Sequence, residues 1–216
     1  EQIREKIVAQ GASMLNCSVE EVEFDGKCVR SLVDQKEVTL QEIGYASFSG
    51  SYSVISACVS HTSPVSPPPF MVGIAEIDLD PDTGKVEIVD YAAAVDCGTV
   101  INTNLARVQT EGGLVQGIGM TLTENIQYSP KGNLWNNSFM QYKIPTRLDA
   151  GKLRVEFESS YEPTGPFGAK SIGELVINTP APAITNAIYN ATGLQFRSLP
   201  ITSEQIAMGL LTKNKE

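Results

Sequence analysis

Residues 70–91 read FMVGIAEIDLDPDTGKVEIVDY, and this stretch carries the clearest secondary-structure pattern of the chain. Every second residue of its first ten is apolar or small, which is the period of a β-strand with one buried face. The Pro-Asp-Thr-Gly run at 81–84 is typical of a turn, and residues 86–91 are again rich in strand-forming residues. The stretch therefore predicts a β-hairpin.

Helix and strand patterns alternate on both sides of this hairpin. Apolar spacing and capping residues predict five helices: over 1–15, from Thr39 with Glu42, over 105–122, up to Gly193, and from Thr202 with Gln205. Further strands are predicted over 18–24, 134–148 and 153–157. This mixture predicts an α+β fold with mixed sheets and packed helices.

The proline-rich stretch HTSPVSPPP at 61–69 divides the chain. Its prolines cannot donate to a β-ladder and favour an extended polyproline conformation, so the stretch predicts a loop between two subdomains, 1–65 and 66–216. The chain opens on Glu1 without an initiator Met. The first subdomain is therefore expected to be an α/β segment that continues from an upstream part.

Composition excludes several classes of function. The 216 residues carry 16 Lys and Arg against 25 Asp and Glu, a net charge of −9, which disfavours nucleic acid as a partner. No apolar run approaches the roughly 20 residues of a membrane-spanning helix. The four cysteines have no C-x-x-C spacing and His61 is the only histidine, so no metal site of His or Cys is expected within the chain, and His61 is a weak candidate for a catalytic triad. Reduced thiols predict a cytoplasmic protein.

The run GPFGAKSIGE, from Gly165 to Glu174, is a glycine-dense loop that ends in one carboxylate. Such a loop can bring backbone close to a ligand. Glu174 is expected to be partly removed from water by the apolar residues around it, which suits a general base. The alternatives left open by the residues themselves are that Glu174 caps a helix or pairs with Lys170.

A second run, QTEGGLVQGIG from Gln109 to Gly119, alternates amides with glycines on the predicted helix 105–122. An amide donates and accepts hydrogen bonds at once, so it suits a heterocyclic cofactor. Close packing of another segment explains the glycines equally well. On either interpretation, a methyl group added at Gly112 or Gly113 is expected to overlap its neighbour. Cys97, after the second hairpin strand, is either a thiolate or a small buried hydrophobe.

Four ordered motifs together resemble the molybdenum-cofactor subunit of the molybdenum hydroxylases, the xanthine dehydrogenase and aldehyde oxidase family. Two of them are similar to the family's Q-x-E-G-x-x-x-Q-G-x-G helix and G-P-F-G-A-K-x-x-G-E loop. The motifs are the strand pair at 70–98, the helix at 109–119, the loop at 165–174 and the helix at 181–193. Three positions depart from the family pattern: Val108, Ser171 and Leu175.

The resemblance implies a role for each matching position. Glu174 would be the catalytic glutamate that acts as general base, and Gln109 would contact the pterin of the molybdenum cofactor, molybdopterin. The residues next to the cofactor would be Lys170, Ser171, Ile172 and Gly173. The resemblance assigns no direct metal ligand to the chain.

The resemblance also implies a larger assembly. Electrons would leave through iron–sulfur clusters and FAD on partner chains or domains, and further pterin-contacting loops would lie upstream of Glu1. The chain is then expected to be the C-terminal portion of the subunit, inactive alone, and to act within the assembly on a purine or another small N-heterocycle, with oxygen from water. The alternative function is a non-catalytic scaffold or partner domain that keeps the fold without binding cofactor.

Overall fold

The structure is a computed structural model that describes residues 1–60 and 62–213. His61, the weak triad candidate, lies outside the described residues. The chain forms two compact units, Glu1–Thr62 and Ser63–Glu216. None of the helices in the described ranges is long and apolar enough to cross a bilayer. The predictions that the first subdomain continues from an upstream part and that the protein is cytoplasmic stay predictions.

The first unit combines two helices with a small antiparallel sheet. Its elements are α1 (Gln2–Leu15), β1 (Val22–Phe24), β2 (Cys28–Ser31), β3 (Glu37–Thr39) and α2 (Leu40–Phe48). The predicted cap of α2 is confirmed, because the Thr39 side chain accepts from the Glu42 amide and the Glu42 carboxylate accepts from the Thr39 amide. The strand predicted over 18–24 is wrong in its first half. There Ser18 and Glu21 form a capping box on a 3-10 turn, and only Val22–Phe24 is extended.

The second unit is built on the predicted hairpin, which is confirmed. Strand β4 (Phe70–Leu79) pairs antiparallel with β5 (Val86–Asp96), and β6 (Lys152–Glu158) pairs parallel with β5. Three α-helices of the described residues complete the unit: α3 (Thr103–Leu122), α4 (Pro180–Thr192) and α5 (Ser203–Lys213). The expected α+β class with mixed sheets is therefore confirmed.

The core of this unit joins the inner face of the sheet to the three helices. Tyr91 at its centre is fully buried, and its hydroxyl donates to Thr179 Oγ1 at 3.0 Å. The core residues from the helices are Leu114, Ile118, Ile184, Ile188 and Ile206. Burial of these aliphatic side chains holds α3 in a fixed orientation on the sheet, and that orientation positions the site described below.

The strands predicted over 134–148 are wrong. In the described residues this segment carries only one isolated β-bridge, between Tyr128 and Leu134. Its large apolar side chains are exposed, Leu148 by 93% and Met140 by 84%. The apolar residues of 134–148 are therefore not packed on a sheet, and turns and irregular structure replace the strands.

Candidate functional site

Helix α3 presents two different faces. One face is buried in the core and includes Thr110, Leu114 and Ile118. The opposite face is exposed and carries Gln109, Gly112 and Gln116, spaced three and four residues apart along the helix. The amide-rich motif is therefore split by the helical period, so that its amides line one surface and most of its glycines face the packed side.

The loop that ends at Glu174 lies along this exposed face. Gln109 Nε2 donates to the Gly173 carbonyl oxygen at 3.1 Å. Between the helix and the loop runs a groove of ≈ 660 Å³, within the size range of small-molecule sites. We call it the amide groove; its lining includes Gln109, Gly112, Gln116, Gly173, Glu174 and Asn178.

Glu174 is exposed at the edge of the amide groove, immediately before the 3-10 turn Leu175–Ile177. The expectation that neighbouring apolar residues remove it from water is wrong, because Val176 turns into the core while Glu174 points away from it. Its side chain makes no capping hydrogen bond to the turn. None of the five ion pairs found among the described residues includes it. Neither alternative, a helix cap or a pair with Lys170, is therefore observed.

Lys170 forms its ion pair with Asp96 and not with Glu174. Its ammonium lies 2.6 Å from Asp96 Oδ2, with the Lys170 side chain only 8% exposed, and stands 5.5 Å from the centroid of the Phe70 ring. These contacts hold its charge at the end of β5 and away from Glu174. The ion pair with Lys170 and hydrogen bonds from Ser160 and the Gly98 amide lower the pKa of Asp96 to about 2.

The remaining candidate residues of the loop do not all lie at the amide groove. Ile172 packs against the core and Ser171 is exposed. Of the residues predicted from the resemblance, the structure brings Gln109, Gly173 and Glu174 together at the amide groove. Lys170 and Ile172 instead line an adjoining cleft of ≈ 490 Å³, which shares Gln109 and Gly173 with the groove. That these residues contact a cofactor stays a prediction.

The two neighbouring glycines of the motif differ in their surroundings. A Cβ at Gly113 would overlap the side chain of Val176, whereas a Cβ at Gly112 would meet nothing within 4 Å. The expected overlap at Gly112 is therefore wrong within the chain, because this residue faces the open groove. The expected close packing holds at Gly113 and also at Gly117, where a Cβ would lie 2.6 Å from Pro180 Cγ.

The amide motif of the sequence analysis includes Gln116, but only Gln109 was singled out from it as a site residue, and Asn178 was missed. Gln116 lies seven residues after Gln109, two helical turns along the same face, so the helical period could have placed it. Asn178 follows a 3-10 turn that no pattern in the sequence indicated. Cys97 is buried, and burial raises the pKa of its thiol, which favours the small hydrophobe over the thiolate. No cluster of His, Cys, Asp and Glu suited to a metal ion is found in the part of the chain that the structure describes.

Comparison with known proteins decides the family. The family model described as "Molybdopterin cofactor-binding domain" matches residues 1–151. The chain belongs to this family. The matched residues of the molybdopterin cofactor-binding domain include all of β4, β5 and α3, and end before the loop that carries Glu174.

Individual relatives extend the match over the loop. "Probable hypoxanthine oxidase XdhD" of Escherichia coli (strain K12) is 32% identical over 214 residues, which cover 97% of this chain and 22% of that protein. The crystal structure of quinoline 2-oxidoreductase from Pseudomonas putida 86 has a TM-score of 0.73 at 25% identity, over 97% of this chain and 28% of that one. The Cu,Mo-CO dehydrogenase structure has a TM-score of 0.71 at 26% identity, over 96% and 28%.

These matches confirm the resemblance to the molybdenum hydroxylases. The molybdopterin cofactor-binding domain described here spans 22–28% of the length of the three proteins. The activity, substrates and partners of those longer proteins therefore do not pass to this chain as findings.

Proposed function

We propose that this chain forms part of the cofactor site of a molybdenum hydroxylase and supplies its general base, Glu174. One observation carries the proposal. The hydrogen bond from Gln109 to the Gly173 carbonyl joins the amide-bearing helix to the carboxylate-bearing loop, so that both line a single groove. The amides on this groove can donate and accept hydrogen bonds with a pterin. The exposed carboxylate on the same groove can accept a proton.

The groove fits a large, flat heterocyclic group on two counts. Apart from their own neighbouring backbone, no described residue has an atom within 4 Å of a Cβ placed at Gly112 or Gly173, so both walls leave space beside the backbone. Gln109 uses one N–H on Gly173. Its second N–H and its carbonyl oxygen bond to no other described residue and are available for the polar edges of a pterin. Gln109 and Gln116 would hold the cofactor from the helix side, and the backbone at Gly173 would hold it from the loop side.

When bound, the molybdenum cofactor supplies the oxidative chemistry of a hydroxylation in which water provides the oxygen. The contribution of the chain is to place Glu174 at the mouth of the groove, where its carboxylate oxygen accepts a proton from the reacting water. The carboxylate is exposed and unpaired among the described residues, so it is available for this transfer. Its removal from water would then come from the cofactor and substrate themselves.

We infer a purine or related N-heterocycle as the substrate. The relative with 32% identity is named for hypoxanthine, and one of the two solved structures is named for quinoline. Both molecules are flat N-heterocycles, whereas the Cu,Mo-CO dehydrogenase is named for carbon monoxide. The proposal extends to an upstream part of the molybdenum subunit, iron–sulfur clusters and FAD on partner chains or domains, and a cytoplasmic setting.

The isolated chain is expected to fold but to purify without molybdopterin, because one groove covers only part of so large a cofactor. The complete assembly is expected to carry about one molybdenum. Elemental analysis and pterin fluorescence on both preparations test this. An assembly without molybdenum would instead support the non-catalytic scaffold, and stoichiometric pterin on the isolated chain would contradict the expected dependence on upstream loops.

Gln109→Ala is expected to lower the molybdenum content of the assembly several-fold, because it removes both the pterin contact and the bond to Gly173. The melting temperature of the isolated chain should fall by only about 1–6 °C, since an exposed hydrogen bond contributes roughly 0.5–1.5 kcal/mol. Gln205→Ala is a matched control, because Gln205 accepts from the Thr202 amide at 3.0 Å, outside the lining of the groove. Normal occupancy with a strongly lowered melting temperature would show that Gln109 is only a structural amide.

A further inference from the structure

The loop that carries Glu174 is attached to the end of β5 by hydrogen bonds near its beginning. The Thr99 amide donates to the Gly168 carbonyl at 2.8 Å, and the Lys170 amide donates to the Cys97 carbonyl at 2.7 Å. Beyond Lys170, the Ile172 side chain packs against the core, Gln109 bonds to the Gly173 carbonyl, and the buried Val176 fixes the chain again after Glu174. The position of Glu174 is therefore set by several attachments, of which the one at Lys170 joins the loop to the end of β5.

The backbone of this loop needs such attachments. Phe167 and Gly168 are consecutive residues with positive φ, 55° and 82°. A positive φ is unfavourable for a residue with a bulky side chain, and such a conformation persists only where surrounding contacts hold it. The Phe167 side chain is 83% exposed and packs little itself. The contacts that hold the loop must come from its neighbours.

Asp96 adds a side-chain attachment of the loop at the same end of β5. Its Oδ2 accepts from the Lys170 ammonium at 2.6 Å, and its Oδ1 accepts from Ser160 Oγ at 2.6 Å and from the Gly98 amide at 3.0 Å. One carboxylate thereby joins the end of β5, the segment after β6 and the loop. Because the Lys170 side chain is 8% exposed, its ammonium has little access to water and depends on Asp96 as its anionic partner.

We propose that Asp96 is a positioning residue for Glu174, which it holds at the amide groove by anchoring Lys170, four residues earlier in the loop. This inference rests on the proposed role of Glu174 as general base. Four residues span at most about 14 Å of chain, so a shift at Lys170 moves Glu174 unless the intervening backbone absorbs it. Displacements of about 1 Å are enough to slow an enzymatic reaction about 100-fold.

The test is Asp96→Asn in the complete enzyme. The amide can keep bonds to Ser160 and Gly98 but loses the charge that holds Lys170. We expect turnover per bound molybdenum to fall about 10- to 100-fold with little change in KM, and amide hydrogen exchange of residues 168–174 to become faster. Exchange is read in the enzyme as purified, so it reports the loop independently of activity.

Asp90→Asn is the matched control. Asp90 lies on the same strand and also forms an ion pair, in which its Oδ1 lies 2.8 Å from Arg154 Nε. This pair joins β5 to β6 and not to the loop. We expect turnover and exchange at 168–174 to remain as in the unmodified enzyme. If Asp96→Asn changes both no more than Asp90→Asn does, the positioning role is refuted.

A double substitution separates this inference from the proposed function. If Asp96 acts through Glu174, adding Asp96→Asn to Glu174→Gln produces no further loss of turnover. Multiplying losses would refute the positioning role while leaving the base in place, whereas near-normal turnover of Glu174→Gln alone would refute the base. If Asp96→Asn does not fold, Ser160→Ala is the milder change. It removes one hydrogen bond to Asp96 and should lower turnover and speed exchange in the same direction, and no change in either would refute the role.

Discussion

Replacing Glu174 with Gln in the complete enzyme is expected to lower turnover by about 100- to 10,000-fold, the contribution typical of a general base. Gln has the shape of Glu but cannot accept the proton. Molybdenum content should stay unchanged, because the Gln109 side chain and the Gly173 carbonyl still line the groove. The measurements are turnover with a purine and with quinoline, and molybdenum per assembly.

The structure indicates that Glu174→Gln changes the carboxylate without changing the stability of the chain. Glu174 is exposed, caps nothing and takes part in none of the ion pairs of the described residues. A surface change of this kind usually alters stability by less than about 0.5 kcal/mol, so lost turnover cannot be attributed to unfolding. Glu156→Gln, on an exposed position of β6, is the matched control for the loss of one charge. Turnover of Glu174→Gln close to that of the control would remove Glu174 from the mechanism.

The elements that the sequence predicts well are those with a local cause. The β4–β5 hairpin follows from an alternation of period two and a Pro-Asp-Thr-Gly turn. The caps at Thr39 and Thr202 follow from side chains three residues apart, and each forms the expected bonds. Residues 134–148 are also rich in apolar and aromatic residues, yet in the described structure they form no strand: most of these side chains are exposed, and Pro145 lies against Gly119 of α3. Local pattern does not report whether a partner exists.

The sequence identified residues of the candidate site but not the contacts that place them. The motifs named Gln109 and Glu174, while the partner of Lys170 could not be read from the sequence because Asp96 lies 74 residues away. Burial of Glu174 was expected from its apolar neighbours in sequence, but those neighbours turn toward the core. The orientation of a side chain at the edge of a loop depends on tertiary attachments, and these have no local signal.

Local sequence likewise does not show that Gly112 and Gly113 face different surroundings. This difference predicts a second large effect, on stability. Gly113→Ala is expected to destabilise the chain by about 1–3 kcal/mol, because the new methyl group overlaps the buried Val176. For a chain of this length the melting temperature should fall by about 2–12 °C. Gly112→Ala should leave it unchanged or raise it, since Ala favours a helix by up to about 1 kcal/mol over Gly and the groove has space for a methyl group.

In the complete enzyme we expect Gly112→Ala to be the more harmful of the two substitutions if the amide groove holds the cofactor. A methyl group at Gly112 then occupies space that the pterin needs, and a clash of about 1–3 kcal/mol weakens binding about 5- to 150-fold. Molybdenum release from Gly112→Ala, followed during dialysis, should be faster than from the unmodified enzyme by a similar factor. The two adjacent glycines control for each other, because each variant adds the same methyl group to the same helix. Normal molybdenum retention in Gly112→Ala, with a melting temperature that is also normal, would mean that this face of α3 does not contact the cofactor.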